Sequence, residues 1–197
     1  MKPNKDYALI TGASLGIGNE IAREFARRGI NTLLVALDTP ELSDLQKQLR
    51  AEYGIQAQCF PTDLTEPGSA AEIHHWCQER GYVVKYLINN AGFGESGFFE
   101  NVPLERYSQM IDLNNKAYIA LTHAFLPDLK ELGEGFIMNT ASMEATLPLP
   151  YKAVYTGTKN FVYYFSLSLS QEVRKFGIKV SILCPGPVLT NEEGLKR

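Results

Sequence analysis

A glycine-rich turn follows the first apolar run of the chain. Residues 7–10 are apolar and strand-like, and the next eight residues, Thr-Gly-Ala-Ser-Leu-Gly-Ile-Gly, lead into a helix-like segment that extends to Arg28. Glycines at 12, 16 and 18 let the chain turn tightly and let main-chain amides approach a phosphate, and the helix start adds free N–H groups. The spacing differs from Gly-x-Gly-x-x-Gly but meets the same mechanical needs. The turn therefore predicts a pyrophosphate site; the alternative is a flexible connection.

Apolar strand-like runs alternate with helix-like segments along the rest of the chain. This alternation predicts an α/β fold with a parallel sheet, and 197 residues suit a single domain. Strands are predicted at 7–10, 31–37, 56–60, 86–88, 135–140 and 179–183, and helices from the glycine turn to 28 and at 40–53, 69–80, 104–130 (with a bend near Pro127) and 152–176.

Composition excludes several classes of function. The net charge of −3, without a block of Lys and Arg, argues against a nucleic-acid partner. No apolar run approaches the ~20 residues of a membrane helix. Cys59, Cys77 and Cys184 form neither a disulfide framework nor a zinc-ligand pattern, so no metal site is expected. Free cysteines and the lack of a signal-peptide pattern predict a cytoplasmic protein.

The most reactive pair in the sequence is Tyr155 and Lys159. They lie four residues apart in a predicted helix and so share one face. An ammonium beside a phenol lowers the tyrosine pKa from about 10, which lets the phenol exchange a proton with an alcohol or carbonyl oxygen. Ser142, just after an apolar strand, could hydrogen-bond the same oxygen. The alternatives are a packed ring with a solvated amine, and a serine that only caps a turn.

Six segments, in this order, resemble the short-chain dehydrogenase/reductase family over residues 7–190. They are the glycine turn, Asn89-Asn90-Ala91-Gly92, Asn114, Ser142, the Tyr155–Lys159 pair and Pro185-Gly186-Pro187-Val188-Leu189-Thr190. The resemblance implies a Rossmann-like, doubly wound parallel sheet of order 3-2-1-4-5-6 in three α/β/α layers. It also implies an NAD or NADP cofactor at the carboxyl ends of the strands.

The resemblance also assigns residues. It implies catalytic roles for Asn114, Ser142, Tyr155 and Lys159, with Asn114 holding a water that links Lys159 to solvent and Lys159 bonding the nicotinamide ribose. The cofactor-binding residues that it implies are Gly12, Ser14, Leu15, Gly16, Ile17, Gly18, Asp63, Leu64, Asn90, Ala91, Gly92, Tyr155, Lys159, Pro185, Gly186, Val188 and Thr190.

The implied activity is hydride transfer between the cofactor and a small-molecule substrate with a carbonyl or alcohol group. Phe93, Met143, Leu147 and Tyr151 fall where the family lines its substrate cleft, and an apolar lining suits a carbonyl on an apolar body. The alternative is a non-catalytic cofactor-binding or dimer scaffold protein. In either case the family forms homodimers or homotetramers through helices equivalent to 104–130 and 152–176.

The sequence departs from the family pattern in two places. Ala36 and Leu37 occupy the positions that select NAD by an acid or NADP by an arginine, and Leu15 replaces a basic residue of many NADP enzymes, so neither cofactor is favoured. Family members usually continue beyond position 197 with lid helices and a seventh strand. We therefore expect this strand and lid to be absent, through truncation or in a minimal form completed by a partner, and cofactor binding to survive better than turnover.

Overall fold

The computed structural model describes residues 6–188, and in this range six parallel strands form one sheet. Its order is β3-β2-β1-β4-β5-β6, which confirms the predicted order. The strands are β1 (Asp6–Thr11), β2 (Asn31–Ala36), β3 (Ala57–Pro61), β4 (Val83–Asn89), β5 (Gly135–Thr140) and β6 (Ile178–Leu183).

Helices cover both faces of this sheet. They are α1 (Gly16–Arg27), α2 (Pro40–Tyr53), α3 (Ser69–Glu79), α4 (Leu104–Ile111), α5 (Ala117–Leu132) and α6 (Ala153–Val173). Side chains of α1 and α2 pack in one core with Ile10 of β1, and side chains of α3, α5 and α6 pack in another core with Leu9. Successive residues of one strand point to opposite faces, so β1 supplies both cores. All residues of β2 are buried, as its nearly continuous apolar sequence predicts.

Two elements differ from the sequence-based expectation. The predicted helix 104–130 is three pieces, because a π-helical turn, Asp112–Lys116, separates α4 from α5, and α5 continues through Pro127. β4 begins at Val83 rather than at 86. Lys85 interrupts its apolar run, but the Lys85 amine lies 2.6 Å from a carboxylate oxygen of Glu134, which directly precedes β5, so the charge of Lys85 is paired.

The sheet order places the site. β1 lies between β2 and β4, so the chain reverses its direction of winding at the β1–β4 junction. Ligands of open α/β sheets bind beyond the carboxyl ends of the strands at such a junction. Within residues 6–188, β6 lies at the sheet edge and pairs with β5. The expectation about a seventh strand concerns residues outside the described range.

Candidate active site

The glycine turn joins β1 to α1 and packs closely on the loop that follows β4. Gly12 has a φ of 65°, and a Cβ at this position would lie 2.9 Å from Ala91 Cα. A Cβ on Gly18 would lie 2.1 Å from the Gly12 carbonyl oxygen. α1 begins after Leu15 without a side-chain cap, so the main-chain N–H groups of its first turn carry no protein cap. The turn therefore offers bare amides and a positive helix end to an anion.

Side-chain hydrogen bonds hold the carboxyl ends of three strands together beside this turn. The Thr11 hydroxyl accepts from the main-chain N–H groups of Asn90 and Ala91, at 2.8 and 3.0 Å. The Asn90 side chain donates to the Thr11 carbonyl at 3.0 Å and accepts from the Thr140 hydroxyl at 3.3 Å. These bonds connect β1, β4 and β5, so the Asn90 side chain is engaged in structure.

Tyr155 and Lys159 lie on α6, as predicted, and both line the same groove. The Lys159 amine is 5.9 Å from the centre of the Tyr155 ring. Lys159 is 4% exposed, and its amine donates to the Thr140 carbonyl at 2.9 Å. Burial lowers the pKa of Lys159 to about 8, while electrostatic interaction with Cys184 acts in the opposite direction. The structure thus brings a buried amine and a phenol together at the groove.

Ser142 follows the end of β5 and caps a short 3₁₀ turn, Met143–Thr146. Its hydroxyl oxygen accepts from the main-chain N–H of Glu144 at 3.1 Å, so the capping interpretation is correct. Capping uses only an acceptor site, and the hydroxyl proton stays available for donation. The two interpretations of Ser142 are therefore compatible.

Asn114 lies in the π-helical turn and is fully buried. Its side-chain oxygen accepts from the Phe93 N–H at 3.1 Å, and its amide donates to the Phe93 carbonyl and the Thr158 hydroxyl, both at 3.0 Å. A Cβ on Gly92 would lie 2.7 Å from Asn114 Oδ1 and 3.4 Å from Lys159 Nζ. Asn114 Oδ1 and the Lys159 amine therefore both lie close to Gly92. Neighbouring Asn115 instead bonds the Thr158 carbonyl.

The groove at the carboxyl ends of the strands has a volume of about 430 Å³. Most residues of the predicted cofactor site line it: Gly12, Ser14, Leu15, Gly16, Ile17, Asn90, Ala91, Gly92, Tyr155, Lys159, Pro185 and Val188. The other lining residues are Phe93, Gly94, Thr140 and Ala141. Thr140 and Ala141 could have been found from sequence, because they close the predicted fifth strand at its carboxyl end. No local pattern indicated Gly94, which faces the Tyr155 ring.

Several predicted site residues do not line this groove. Gly18, Asn114, Ser142 and Gly186 are not among its lining residues. A Cβ on Gly186 would lie 2.9 Å from Met143 Sδ. Thr190 lies outside the described residues.

Asp63 and Leu64, which the resemblance also assigns to cofactor binding, are not part of the groove lining either. Asp63 is exposed and accepts from the N–H and hydroxyl of Thr65, at 2.8 and 2.7 Å. Leu64 is buried in the core.

The loop that contains Phe93, Gly97 and Phe98 makes several contacts with neighbouring segments. The Arg106 guanidinium lies 4.5 Å from the centre of the Phe93 ring. The Gly97 N–H donates to the Tyr151 carbonyl at 2.8 Å, and the Phe98 and Tyr151 rings meet edge to face at 5.1 Å. Tyr151 holds a φ of 65°, a strained value for a residue with a side chain. With exposed Met143 and Leu147 in the neighbouring segment, the surface there is apolar.

Two features are absent from residues 6–188. No group of three or more His, Cys, Asp or Glu side chains in this range is arranged to hold a metal ion. None of the helices described there combines the length and apolar character that crossing a bilayer requires.

Comparisons with known proteins agree with this geometry. A family model described as short chain dehydrogenase matches residues 6–196. The very-long-chain 3-oxoacyl-CoA reductase of Laccaria bicolor is 31% identical over 179 residues, which are 90% of this chain and 53% of that protein. The chain thus spans about half the length of this curated relative.

Two solved structures are similar over most of the chain. The bulky-bulky ketone specific alcohol dehydrogenase from Comamonas testosteroni has a TM-score of 0.88 and 34% identity, covering 93% of this chain and 73% of that one. A short-chain dehydrogenase from Sphingobium yanoikuyae in complex with NADPH has a TM-score of 0.89 and 36% identity, covering 94% of this chain and 72% of that one.

Proposed function

Because the chain belongs to the short-chain dehydrogenase family, we propose that it is an NAD(P)-dependent oxidoreductase acting on a carbonyl or alcohol group. Tyr155 is the proton donor or acceptor. The observation that carries this proposal is the position of Tyr155 and buried Lys159 on a groove whose wall also contains the glycine turn. A groove of this composition can hold a dinucleotide and present one end of it to the phenol.

The residues at the groove fit the cofactor. Any side chain at Gly12 or Gly18 would collide with the main chain of the turn or of the neighbouring loop, so the main chain is held where a pyrophosphate can approach it closely. The turn from Gly12 to Ile17 would hold the pyrophosphate, and the segments containing Gly92 and Val188 would border the nicotinamide end. Leu15, Ala36 and Leu37 carry no charge, so the proposal covers both NAD and NADP.

The protein supplies placement and proton transfer. When bound, the cofactor supplies or accepts the hydride. The Tyr155 hydroxyl gives its proton to the substrate oxygen in reduction and takes it back in oxidation. The Ser142 hydroxyl donates to the same oxygen and stabilises its developing charge. The Lys159 ammonium favours the phenolate, and Asn114 would hold a water that links Lys159 to solvent as a proton relay.

The substrate is a carbonyl or alcohol on an apolar body. Phe98, Met143, Leu147 and Tyr151 present exposed apolar side chains in the loops that follow the groove, and such surface favours apolar ligands. The names of the similar proteins, a 3-oxoacyl-CoA reductase and a bulky-ketone alcohol dehydrogenase, agree with this class.

We also propose that the protein is a cytoplasmic homo-oligomer. Its three cysteines are free, as is typical of a reducing compartment. α4, α5 and α6 carry exposed large apolar side chains that a second copy would cover: Leu104, Ile111, Ile119, Phe161, Tyr164 and Leu167.

Tyr155→Phe tests the function. This change removes the proton and keeps the ring, so turnover should fall by about 10²–10⁴-fold, the usual contribution of general acid–base catalysis. Cofactor affinity, measured by the fluorescence of bound NADH or NADPH, should stay near that of the wild type. Turnover is followed as cofactor oxidation with ketosteroids, acyl ketones and small ketones.

Tyr164→Phe is the matched control, because Tyr164 is an exposed tyrosine of the same helix. This variant should keep full turnover. Full turnover by Tyr155→Phe would instead remove Tyr155 from the mechanism. Cofactor binding without turnover in the wild-type chain would favour the non-catalytic alternative.

A further inference from the structure

The turn that carries Ser142 is tied to helix α6 by a half-buried ion pair. The Lys152 amine lies 2.6 Å from Glu144 Oε1, and both side chains are 26% exposed. A second bond joins the same elements, because the Asn160 side chain donates to the Ala145 carbonyl at 2.9 Å. Lys152 directly precedes α6, which bears Tyr155 on its first turn.

We propose that Glu144 and Lys152, here called the Ser142 clamp, are positioning residues that hold the Ser142 hydroxyl in register with Tyr155. This inference rests on the proposed function. It adds two residues to the machinery that neither the glycine turn nor the Tyr–Lys pair indicates.

Glu144 is the mechanical link in the clamp. Its main-chain N–H donates to the Ser142 hydroxyl oxygen at 3.1 Å, and its side chain pairs with Lys152. The donated bond occupies one acceptor site of the Ser142 oxygen and so restricts the directions left to the hydroxyl proton. A movement of Glu144 therefore changes the orientation of Ser142 directly.

The pair depends strongly on Lys152. Within residues 6–188, the second carboxylate oxygen, Glu144 Oε2, is buried and has no hydrogen-bond partner. Without the Lys152 amine, the carboxylate would keep no cationic partner and would move toward water. By contrast, the Lys47–Asp44 pair is largely exposed on both sides and contributes little to its surroundings. Loss of Lys152 thus displaces the turn rather than leaving it in place.

The clamp fixes one catalytic group against another. Ser142 follows β5, whereas Tyr155 lies on α6, and the two segments are joined by a loop that includes strained Tyr151. The Glu144–Lys152 ion pair joins the turn after Ser142 directly to the start of α6. A displacement of about 1 Å can lower a rate by up to ~10²-fold.

Lys152→Met tests the proposal. We expect kcat to fall by about tenfold or more, with little change in the Kd for NADH or NADPH, because neither Glu144 nor Lys152 lines the groove. Lys152→Arg should restore kcat, because a guanidinium keeps the charge and can bind both carboxylate oxygens. If the ion pair only stabilised the fold, its loss in Lys152→Met would lower the melting temperature and leave kcat unchanged.

Lys85→Met is the matched control. Lys85 is 22% exposed and lies 2.6 Å from a Glu134 oxygen, but at the amino ends of the strands, away from the groove. The Lys85→Met variant should lose stability to an extent similar to Lys152→Met and should keep the wild-type kcat.

A double-mutant cycle with Ser142→Ala decides whether the clamp acts through Ser142. Once the hydroxyl is gone, Lys152→Met should lower kcat by less than twofold further. An equal loss in both backgrounds would overturn the proposal, as would a wild-type kcat for Lys152→Met. If Lys152→Met does not fold, Glu144→Gln/Lys152→Met removes both charges and enters the same cycle.

Tyr155→Phe, measured in the same assay, separates this proposal from the proposed function. If Tyr155→Phe is inactive and Lys152→Met is normal, the clamp alone is wrong. If Tyr155→Phe is fully active, Tyr155 leaves the mechanism, and the clamp, which is proposed to hold Ser142 in register with Tyr155, fails with that role. If the wild-type chain binds the cofactor without turnover, the proposed function fails.

Discussion

Lys159 is a residue that a protein core rarely contains. It is 4% exposed, and its amine has the Thr140 carbonyl as hydrogen-bond acceptor and two aromatic rings about 6 Å away. Burial lowers its pKa from 10.5 to about 8. The amine is therefore charged near neutral pH, and its charge in this buried position lowers the pKa of a neighbouring phenol.

The lowered pKa of Lys159 predicts a stability difference that depends on pH. Below about pH 8 both the folded and the unfolded chain carry the charge, and burial destabilises the fold by up to about 3 kcal/mol. Between pH 8 and 10.5 the unfolded chain binds more protons, so stability rises with pH through this window. Lys159→Met should therefore be relatively most stable near pH 7, lose this advantage toward pH 10.5, and show little turnover.

Denaturant unfolding of both proteins at pH 7 and pH 9.5 measures this difference. Lys85→Met provides the comparison, because the hydrogen bond to Glu134 raises the pKa of Lys85 instead of lowering it. A difference between wild type and Lys159→Met that stays constant across the two pH values would contradict the lowered pKa.

At the scale of elements, the glycine turn and the π-helical turn have different origins. The glycine turn follows from local sequence, because Gly12 and Gly16 adopt positive φ and Gly18 needs close approach. The π-helical turn at Asp112–Lys116 has no such signature. It coincides with the bonds of Asn114 to Phe93 and Thr158, and π-helical turns often occur at functional sites.

Gly18→Ala tests the packing of α1 on the turn. The new methyl would lie 2.1 Å from the Gly12 carbonyl oxygen, so the turn must open or α1 must move. We expect a lower melting temperature and at least tenfold weaker cofactor binding, measured by calorimetry, because the phosphate-binding amides are displaced.

Gly157→Ala is the control for the same chemical change. A Cβ on Gly157 would meet nothing within 4 Å, and the residue lies inside helix α6. Alanine should be neutral or stabilise by up to about 1 kcal/mol through helix propensity. Equal cofactor affinity in Gly18→Ala and the wild type would show that the turn tolerates the displacement.

For the molecule as a whole, large apolar side chains are exposed on α4, α5 and α6. Phe161 and Tyr164 project from α6, and Ile111 and Ile119 lie on the flanking helices α4 and α5. A two-fold interface would pack this surface against the same surface of a second copy, so each residue would contribute to the interface twice. The single-domain organisation of the chain stays a prediction.

Tyr164→Glu should weaken self-association. In a two-fold interface the change places two buried carboxylates near each other, which disfavours the oligomer. Sedimentation velocity should then report a shift toward the monomer, while circular dichroism stays unchanged because Tyr164 is exposed in the protomer. Leu132→Glu adds the same charge at an exposed position at the end of α5 and should leave the oligomer intact. A wild-type sedimentation coefficient for Tyr164→Glu would place the interface elsewhere.

Local pattern was enough to predict the α/β class, the glycine turn and the shared helix face of Tyr155 and Lys159, because strand and helix periodicity and glycine geometry act over a few residues. The resemblance supplied the sheet order, which the structure confirms. The contacts of Asn114, the place of Gly94 in the groove and the Glu144–Lys152 pair could not be predicted in this way. They join residues that are distant in sequence or separated by an irregular loop, and their partners are chosen only when the strands are ordered and α6 packs beside them.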